Sequence, residues 1–427
     1  MELGRRAGER LAIAGHQAVN RGDIPATAVK LLASAIDLLP EDHQRRLDVL
    51  LDLADALREA EDLTGALATY TRAVEVARAG GDRRHAAHAL LGRLDTLWFM
   101  DPRQLDVGGR QEARQVIPVL ERLGDDLGLA KAWRVLAYAQ FAMGESIEAQ
   151  QAAERAIASA RRAGDQRLEA RIVRLNCVIL FWGPTPLDEV SAYVERALGW
   201  ARQGGAPSLE ASALSILART TAMRGNFVQA RTYLEAAKAI PVDVGEGLSW
   251  AANSVTEGLI ELLAEKFAAA EEVLRDGCEK AEKMGRRGQL ATLMVMRARA
   301  LLGLERDEEA AELAARCKQM AHDNQPDFQI RLQGVQAVLM ARRGDHDPAR
   351  RFADEAVSMA EASQQPDTRA TALMDLAEVL RLAEQREPSR RLAERALGLY
   401  RDKGDLVGQE AVARFLAELR EADPSRS

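Results

Sequence analysis

The sequence predicts an all-α chain of stacked helix hairpins winding as a right-handed superhelical solenoid. Three observations point to it: amphipathic stretches with apolar residues at i, i+3, i+4 and i+7, short Gly-polar turns between them, and a register of small side chains that steps by about 40 residues. The chain has 427 residues and is 47% hydrophobic but only 4% aromatic. Ala and Leu, both strong helix formers, therefore carry most of the apolar content.

Taken in chain order, the turns fall at Arg21-Gly-Asp23, Gly81-Asp82, Gly124-Asp125, Gly164-Asp165, Arg224-Gly-Asn226, Met284-Gly-Arg286, Arg343-Gly-Asp345 and Lys403-Gly-Asp405. Glycine fits the left-handed position that closes a helix, and the Asp or Asn after it can cap the next one. Each stretch between turns reads as one helix, and consecutive helices pair. About ten hairpins and a capping helix near 406–421 account for the chain. Two hairpins are irregular. The third carries an extended loop over 99–109, and the fifth contains LFWGPTPLDEV at 180–190. In the latter, Gly183 ends the first helix, Thr185 caps the second, Pro186 takes its first position and Asp188 completes a capping box. Val190 falls on the small-residue line of the second helix, so this segment reads as a turn within a repeat. No Gly/Ser or Pro linker interrupts the array, which predicts one domain over 1–427.

The finer register lies within the hairpins. Small residues occur in the first helices at Ala54, Ala137, Ala218, Gly258, Ala298, Ala337 and Ala377. Twelve residues after each come Ala66, Ala149, Ala230, Ala270, Ala310, Ala349 and Ser389. Seven further on lie Ala73, Ala156, Ala237, Gly277, Cys317, Ala356 and Ala396. Small side chains at facing positions let two helices approach closely, the packing logic of tetratricopeptide (TPR) repeats. The step exceeds the roughly 34 residues of the usual repeat, so each helix is expected to be about a turn longer.

Composition narrows the function. A net charge of −7 argues against nucleic acid as a partner, and the longest apolar run, Cys177–Trp182, is far too short for a membrane span. The charged N-terminus lacks a signal-peptide core, and Cys177, Cys278 and Cys317 lie far apart, which predicts a cytoplasmic protein with reduced, partly buried thiols. No phosphate loop, GxGxxG, HExxH or GxSxG motif is present, so no catalytic residue, metal or cofactor is expected. His85 and His88 have a spacing that admits a metal but no third ligand, and they read as exposed helix histidines. The five tryptophans read as inter-helix core. Positions three before and one after the small residue of a first helix should face the concave groove. They carry Arg134, Tyr138, Arg219 and Arg299, and a nearby turn adds Arg331. Such a set can bind carboxylates of a partner peptide or domain, or form a solvated face left empty; both readings stand.

Several stretches carry a resemblance: Arg21-Gly-Asp with Leu38-Leu-Pro40, Ala79-Gly-Gly-Asp82, Gly183-Pro-Thr-Pro186, Met223-Arg-Gly-Asn-Phe-Val-Gln-Ala-Arg231, Ala356-Val-Ser-Met-Ala-Glu361, and Leu376-Ala-Glu-Val-Leu-Arg381 leading to Leu399-Tyr-Arg-Asp-Lys-Gly404. In order and spacing the chain resembles the C-terminal helical-repeat region of actinobacterial signalling ATPases, many of which carry a class III adenylate/guanylate cyclase domain and an AAA-type ATPase. The resemblance implies a non-catalytic sensor or scaffold that binds a protein partner, such as an upstream ATPase or cyclase domain. The phosphate loop and cyclase aspartates belong to domains absent from this sequence, so no catalytic residue carries over. A stand-alone peptide-sensing repeat protein is the alternative.

Overall fold

The computed structural model describes residues 2–21, 25–41, 43, 45–100, 107–241, 246–284, 286–320 and 326–421. Their regular structure is entirely helical, arranged as ten successive pairs and a final helix. The pairs run α1 (Glu2–Arg21) with α2 (Pro25–Leu38), α3 (Arg46–Glu59) with α4 (Leu63–Ala79), α5 (Arg83–Met100) with α6 (Val107–Leu123), and α7 (Asp126–Ala142) with α8 (Ser146–Ala163). They continue as α9 (Gln166–Trp182) with α10 (Leu187–Gly204), α11 (Pro207–Met223) with α12 (Phe227–Lys238), and α13 (Glu246–Leu263) with α14 (Phe267–Lys283). Next come α15 (Arg287–Gly303) with α16 (Asp307–Met320), α17 (Pro326–Arg342) with α18 (His346–Glu361), and α19 (Pro366–Leu382) with α20 (Arg386–Lys403), before α21 (Leu406–Glu421) closes the series. The chain divides into two compact units. Unit 1 comprises residues 1–139 and 151–172, and unit 2 comprises 140–150 and 173–427.

The small-residue register is the contact surface of the hairpins. Ala54 and Ala66 in unit 1, and Ala218, Ala230, Ala298, Ala310, Ala337, Ala349, Ala377 and Ser389 in unit 2, are all 0% exposed. At the last of these the facing is direct, because Ser389 Oγ donates to Ala377 O at 2.7 Å. At Gly258 a β-carbon would fall 2.4 Å from Leu274 Cδ2, so even alanine there would require Leu274 to shift. Around these contacts unit 2 builds a continuous core that includes Leu274, Leu293, Leu301, Val335, Leu373 and Leu416.

At five of the turns the Asp or Asn after the glycine caps the next helix, as the sequence suggests. Asp125, Asp165 and Asp405 accept from the backbone N–H three residues on at 2.9 Å, and Asp82 does so at 3.0 Å. Asn226 caps α12 in the same way, whereas Asp345 makes no such bond. The glycine signal is incomplete, however. Glu61, Glu265, Glu305 and Glu384 occupy the left-handed region, each at the turn inside a hairpin. The following N–H reaches back to close the helix, as in Asp62 N to Leu57 O at 2.9 Å and Gln385 N to Leu380 O at 2.8 Å. A side chain there costs about 1–2 kcal/mol, which the closing bonds and the packed repeat must offset.

Several expectations need correction. Over 99–109 the described residues are helical: α5 runs through Met100 and α6 begins at Val107, with 101–106 outside the described residues, as are Gly22-Asp23 and Gly285 of two expected turns. At 183–188, Pro186 is itself the N-cap of α10, with ψ 145°, and makes no side-chain cap bond. Its extended backbone delays the helix to Leu187, so Thr185 does not cap, and Asp188 instead pairs with Arg224. Val190 is fully buried, as its register requires. The cysteines are buried outright, and burial pushes their thiols up to about 12, 11 and 12 for Cys177, Cys278 and Cys317. The tryptophans Trp98, Trp133, Trp182 and Trp200 are half-buried, Trp98 packing between helices against Tyr138; the Trp250 side chain lies outside the described residues.

Replacing Ala298 by Leu should overpack its hairpin and lower stability by about 1–3 kcal/mol. The urea midpoint, with an unchanged slope, checks this.

Candidate functional site: the polar layer of the first helices

Unit 1 holds a ladder of charge, one rung per hairpin. Asp95 of α5, 2% exposed, accepts through the same oxygen Oδ2 from Arg58 Nη1 of α3 at 2.6 Å and from Arg134 Nη2 of α7 at 2.9 Å. Arg58 also donates to Asp55 at 3.0 Å, and Tyr70 Oη donates to the same Asp55 oxygen at 2.5 Å. Burial raises the Asp95 pKa, but the flanking Arg134 and Arg58 outweigh it and hold the carboxyl below its usual range. The cluster is tight but incompletely satisfied: Asp95 Oδ1, Arg58 Nε and Arg134 Nε are buried without a partner. Arg134, 6% exposed, thus spends its fork on Asp95, while Tyr138, one turn further along α7, stacks on Trp98 with ring centroids 5.5 Å apart.

Nearby, His88 is buried and not exposed as expected, with Nε2 2.8 Å from Asp125 Oδ2, and Arg84 Nε reaches the same oxygen at 2.8 Å. Burial raises the Asp125 pKa, but the bonds from His88, Arg84 and Gly128 N outweigh it and draw it below the carboxylate range. His85 lies between Asp82 and Asp48, at 2.7 and 2.9 Å.

Unit 2 gathers the other three predicted arginines. Arg219 of α11 donates from Nε to Thr256 Oγ1 of α13 at 2.8 Å, and its guanidinium stands 5.8 Å from the Phe181 ring centre. Thr256 in turn lies 2.8 Å from Ser215 Oγ. Arg331 of α17 stands 5.8 Å from the ring centre of Trp182, donates to Asp327 at 3.0 Å and reaches Asp367 at 2.7 Å. Phe181 and Trp182, at the end of α9, meet edge to face with centroids 4.9 Å apart, so two adjacent rings connect Arg219 to Arg331. Arg299 of α15 grips Asp375 of α19 with both arms, at 2.9 and 2.5 Å. This pair skips a whole hairpin, and Gly334 of α17 explains how. A β-carbon there would lie 2.0 Å from Asp375 Oδ2 and 3.3 Å from Arg299 Nη2. The acids raise the pKa values of Arg299 and Arg331 against the opposing effect of burial, whereas burial lowers Arg219 to about 10.

The acceptors were missed in the sequence, although a signal was present. Thr256 and Asp375 each stand two positions before the register residue of their helix, Gly258 and Ala377, on the same face as the arginines. Reading donors without acceptors left half of the layer out.

No family model and no curated protein matches the chain. Solved structures do match. A Rap protein complexed with competence and sporulation factor is 15% identical with a TM-score of 0.66, over 88% of this chain and 99% of that one. The apo form of the quorum sensor NprR from B. thuringiensis is 13% identical with a TM-score of 0.53, over 83% of this chain and 99% of that one. IFIT1, solved with m7Gppp-AAAA, is 13% identical with a TM-score of 0.51, over 96% and 90% of the two chains. At such identities the likeness shows the fold, a TPR-like helical-repeat array.

Two outcomes follow from this geometry. Alanine normally stabilises a helix over glycine by about 1 kcal/mol, but Gly334→Ala should lower the urea midpoint, because it splits the Arg299–Asp375 pair. A raised midpoint would show that the pair tolerates a methyl group. In unit 1, Asp95 and Asp125 titrate lower folded than unfolded. Their stabilisation is complete above about pH 4 and is lost as pH falls through their folded values. Hydrogen-exchange protection over 84–100 and 107–135, corrected for intrinsic rates, should therefore drop between about pH 7 and pH 3, and Asp125→Asn should flatten that dependence.

Proposed function

We propose that the chain is a non-catalytic sensor scaffold that binds an acidic peptide segment along the first-helix face of unit 2. The observation that carries this reading is the Phe181–Trp182 pair at the end of α9, one ring facing Arg219 of α11 and the other Arg331 of α17, with Arg299 of α15 near enough to Arg331 to feel its charge. Guanidinium groups pair with carboxylates, so a ligand acid would share or replace the aspartates that Arg299 and Arg331 hold, and adjacent ring faces accept an apolar side chain. The Arg299 and Arg331 side chains keep 25% and 20% exposure, enough for a ligand to touch them. A fold shared with a Rap protein complexed with competence and sporulation factor, and with a quorum sensor, supports the same reading. The net charge of −7 speaks against a capped RNA of the kind bound to IFIT1.

A second reading rests on the quoted stretches from Arg21-Gly-Asp to Leu399-Tyr-Arg-Asp-Lys-Gly404, whose order resembles the repeat region of AAA ATPase and cyclase signalling proteins. There the partner segment belongs to an ATPase or cyclase domain, and coding sequence running upstream into a phosphate-loop domain favours it.

The test is fluorescence anisotropy with a library of labelled heptapeptides, acidic members set against their amidated counterparts. Acidic peptides should bind wild type and lose about tenfold or more in affinity to Arg219→Ala. Equal binding of both peptide classes, or of both proteins, sinks the proposal.

A further inference from the structure

Unit 2 is sewn to itself by contacts between turns that lie 216 to 223 residues apart in sequence. Lys403, the last residue of α20 and 2% exposed, points its Nζ into the turn after α9. There it donates to Gly183 O at 2.6 Å, Thr185 O at 2.7 Å and Leu180 O at 3.2 Å. Three carbonyls for three N–H groups make a cage for an ammonium. One hairpin earlier the same offset recurs. Gln364, at the turn between α18 and α19, donates from its backbone N to Gly144 O at 2.9 Å. Its side-chain carbonyl accepts from Ile147 N at 2.7 Å, and its amide donates to Glu148 at 2.9 Å. Gly144 has φ of 78°, and a β-carbon there would press to 2.7 Å from Ser363 Oγ. The seam continues through the Arg414–Glu265 pair, and Val407 lies against the Gly225 turn.

We infer that this seam is a conformational latch: unit 2 exists in a closed state, with Lys403 seated among the carbonyls of residues 180, 183 and 185, and an open state in which the whole seam parts at once. The Lys403 and Gln364 contacts join turns, and the rest of the seam sets α21 against α11 and the turn after α13, none of which is the interface of a hairpin, so parting them leaves the hairpin interfaces intact. The energy balance also suits a reversible device. Closing takes an ammonium out of water, a cost that burial registers by lowering the Lys403 pKa to about 7 against the opposing pull of Asp367 and Asp405. Three charge-assisted bonds offset part of that cost. A hairpin interface of buried alanines has no such opposing term. The inference holds whatever partner the unit binds.

A double-mutant cycle on the full chain tests it, with far-UV circular dichroism to monitor helix content. Lys403→Met should keep its helices and raise both proteolysis of the 183–186 turn and hydrogen exchange over 180–187 and 363–366 by about tenfold or more. Gln364→Ala should raise the same rates by a smaller factor, including those at 180–187, which its side chain does not touch. The double variant should match Lys403→Met to within about twofold, since a seam already open has no more to lose. Unchanged rates in Lys403→Met, or factors that multiply in the double variant, would overturn the latch. If Lys403→Met fails to fold, Gln364→Ala decides: enhanced exchange confined to 144–148 means a local contact and no latch.

Discussion

Two helices in this protein meet through alanine, and the distance at which they meet sets every other length in the molecule. Ala218 against Ala230 and Ala298 against Ala310 are fully shielded from solvent. A larger side chain at any of these points would push a hairpin apart and shift each later hairpin with it. Because the backbones come so close, large side chains are displaced to the flanks. Leu274 folds over Gly258, and Tyr70 lies where a β-carbon on Gly92 would come within 2.2 Å of its ring. The same closeness brings side chains of successive first helices within reach of one another, so a polar layer can form along that face.

That layer gives first-helix arginines buried or half-buried acids to hold in a chain with a net negative charge. In unit 1 two guanidinium groups share one oxygen of Asp95, and in unit 2 Arg331 takes two aspartates while standing over Trp182. These groups are partly desolvated, so their pairing has consequences that exposed pairs such as Arg395–Glu361 lack. Much of the layer is structural before it is anything else. The part built on Arg219, Phe181 and Trp182 differs in the groups it uses, since there the guanidinium meets a threonine hydroxyl and a ring face.

Fold and register were legible in the sequence because they depend on size and period, which single residues display. The Ala and Gly positions, the Asp caps at 82, 125, 165 and 405, and the final helix could all be read directly. The glutamates at 61, 265, 305 and 384 could not, since nothing in a Glu codon announces a left-handed backbone; tertiary packing imposes it. The arginines of the site were visible as a type, but their partners were not. Arg299 finds its acid two hairpins away, and no nearest-neighbour rule leads from residue 299 to residue 375. LFWGPTPLDEV was legible as a turn, yet its role as an acceptor rests on main-chain carbonyls, which every residue has and no side chain reveals.

Repeat arrays are usually treated as strings of interchangeable cassettes whose stability is a sum of units and adjacent interfaces. The Arg299–Asp375 pair breaks that arithmetic. It reaches past α17 and α18 through the gap left by Gly334, so the middle hairpin is held by its neighbours' grip on each other as well as by its own contacts. Excising that hairpin, or duplicating it, would leave a buried aspartate and a half-buried arginine facing the wrong helices. Evolution can therefore lengthen this array at its ends more readily than in its interior, and a designer who shuffles its repeats must move α15 to α20 as a block.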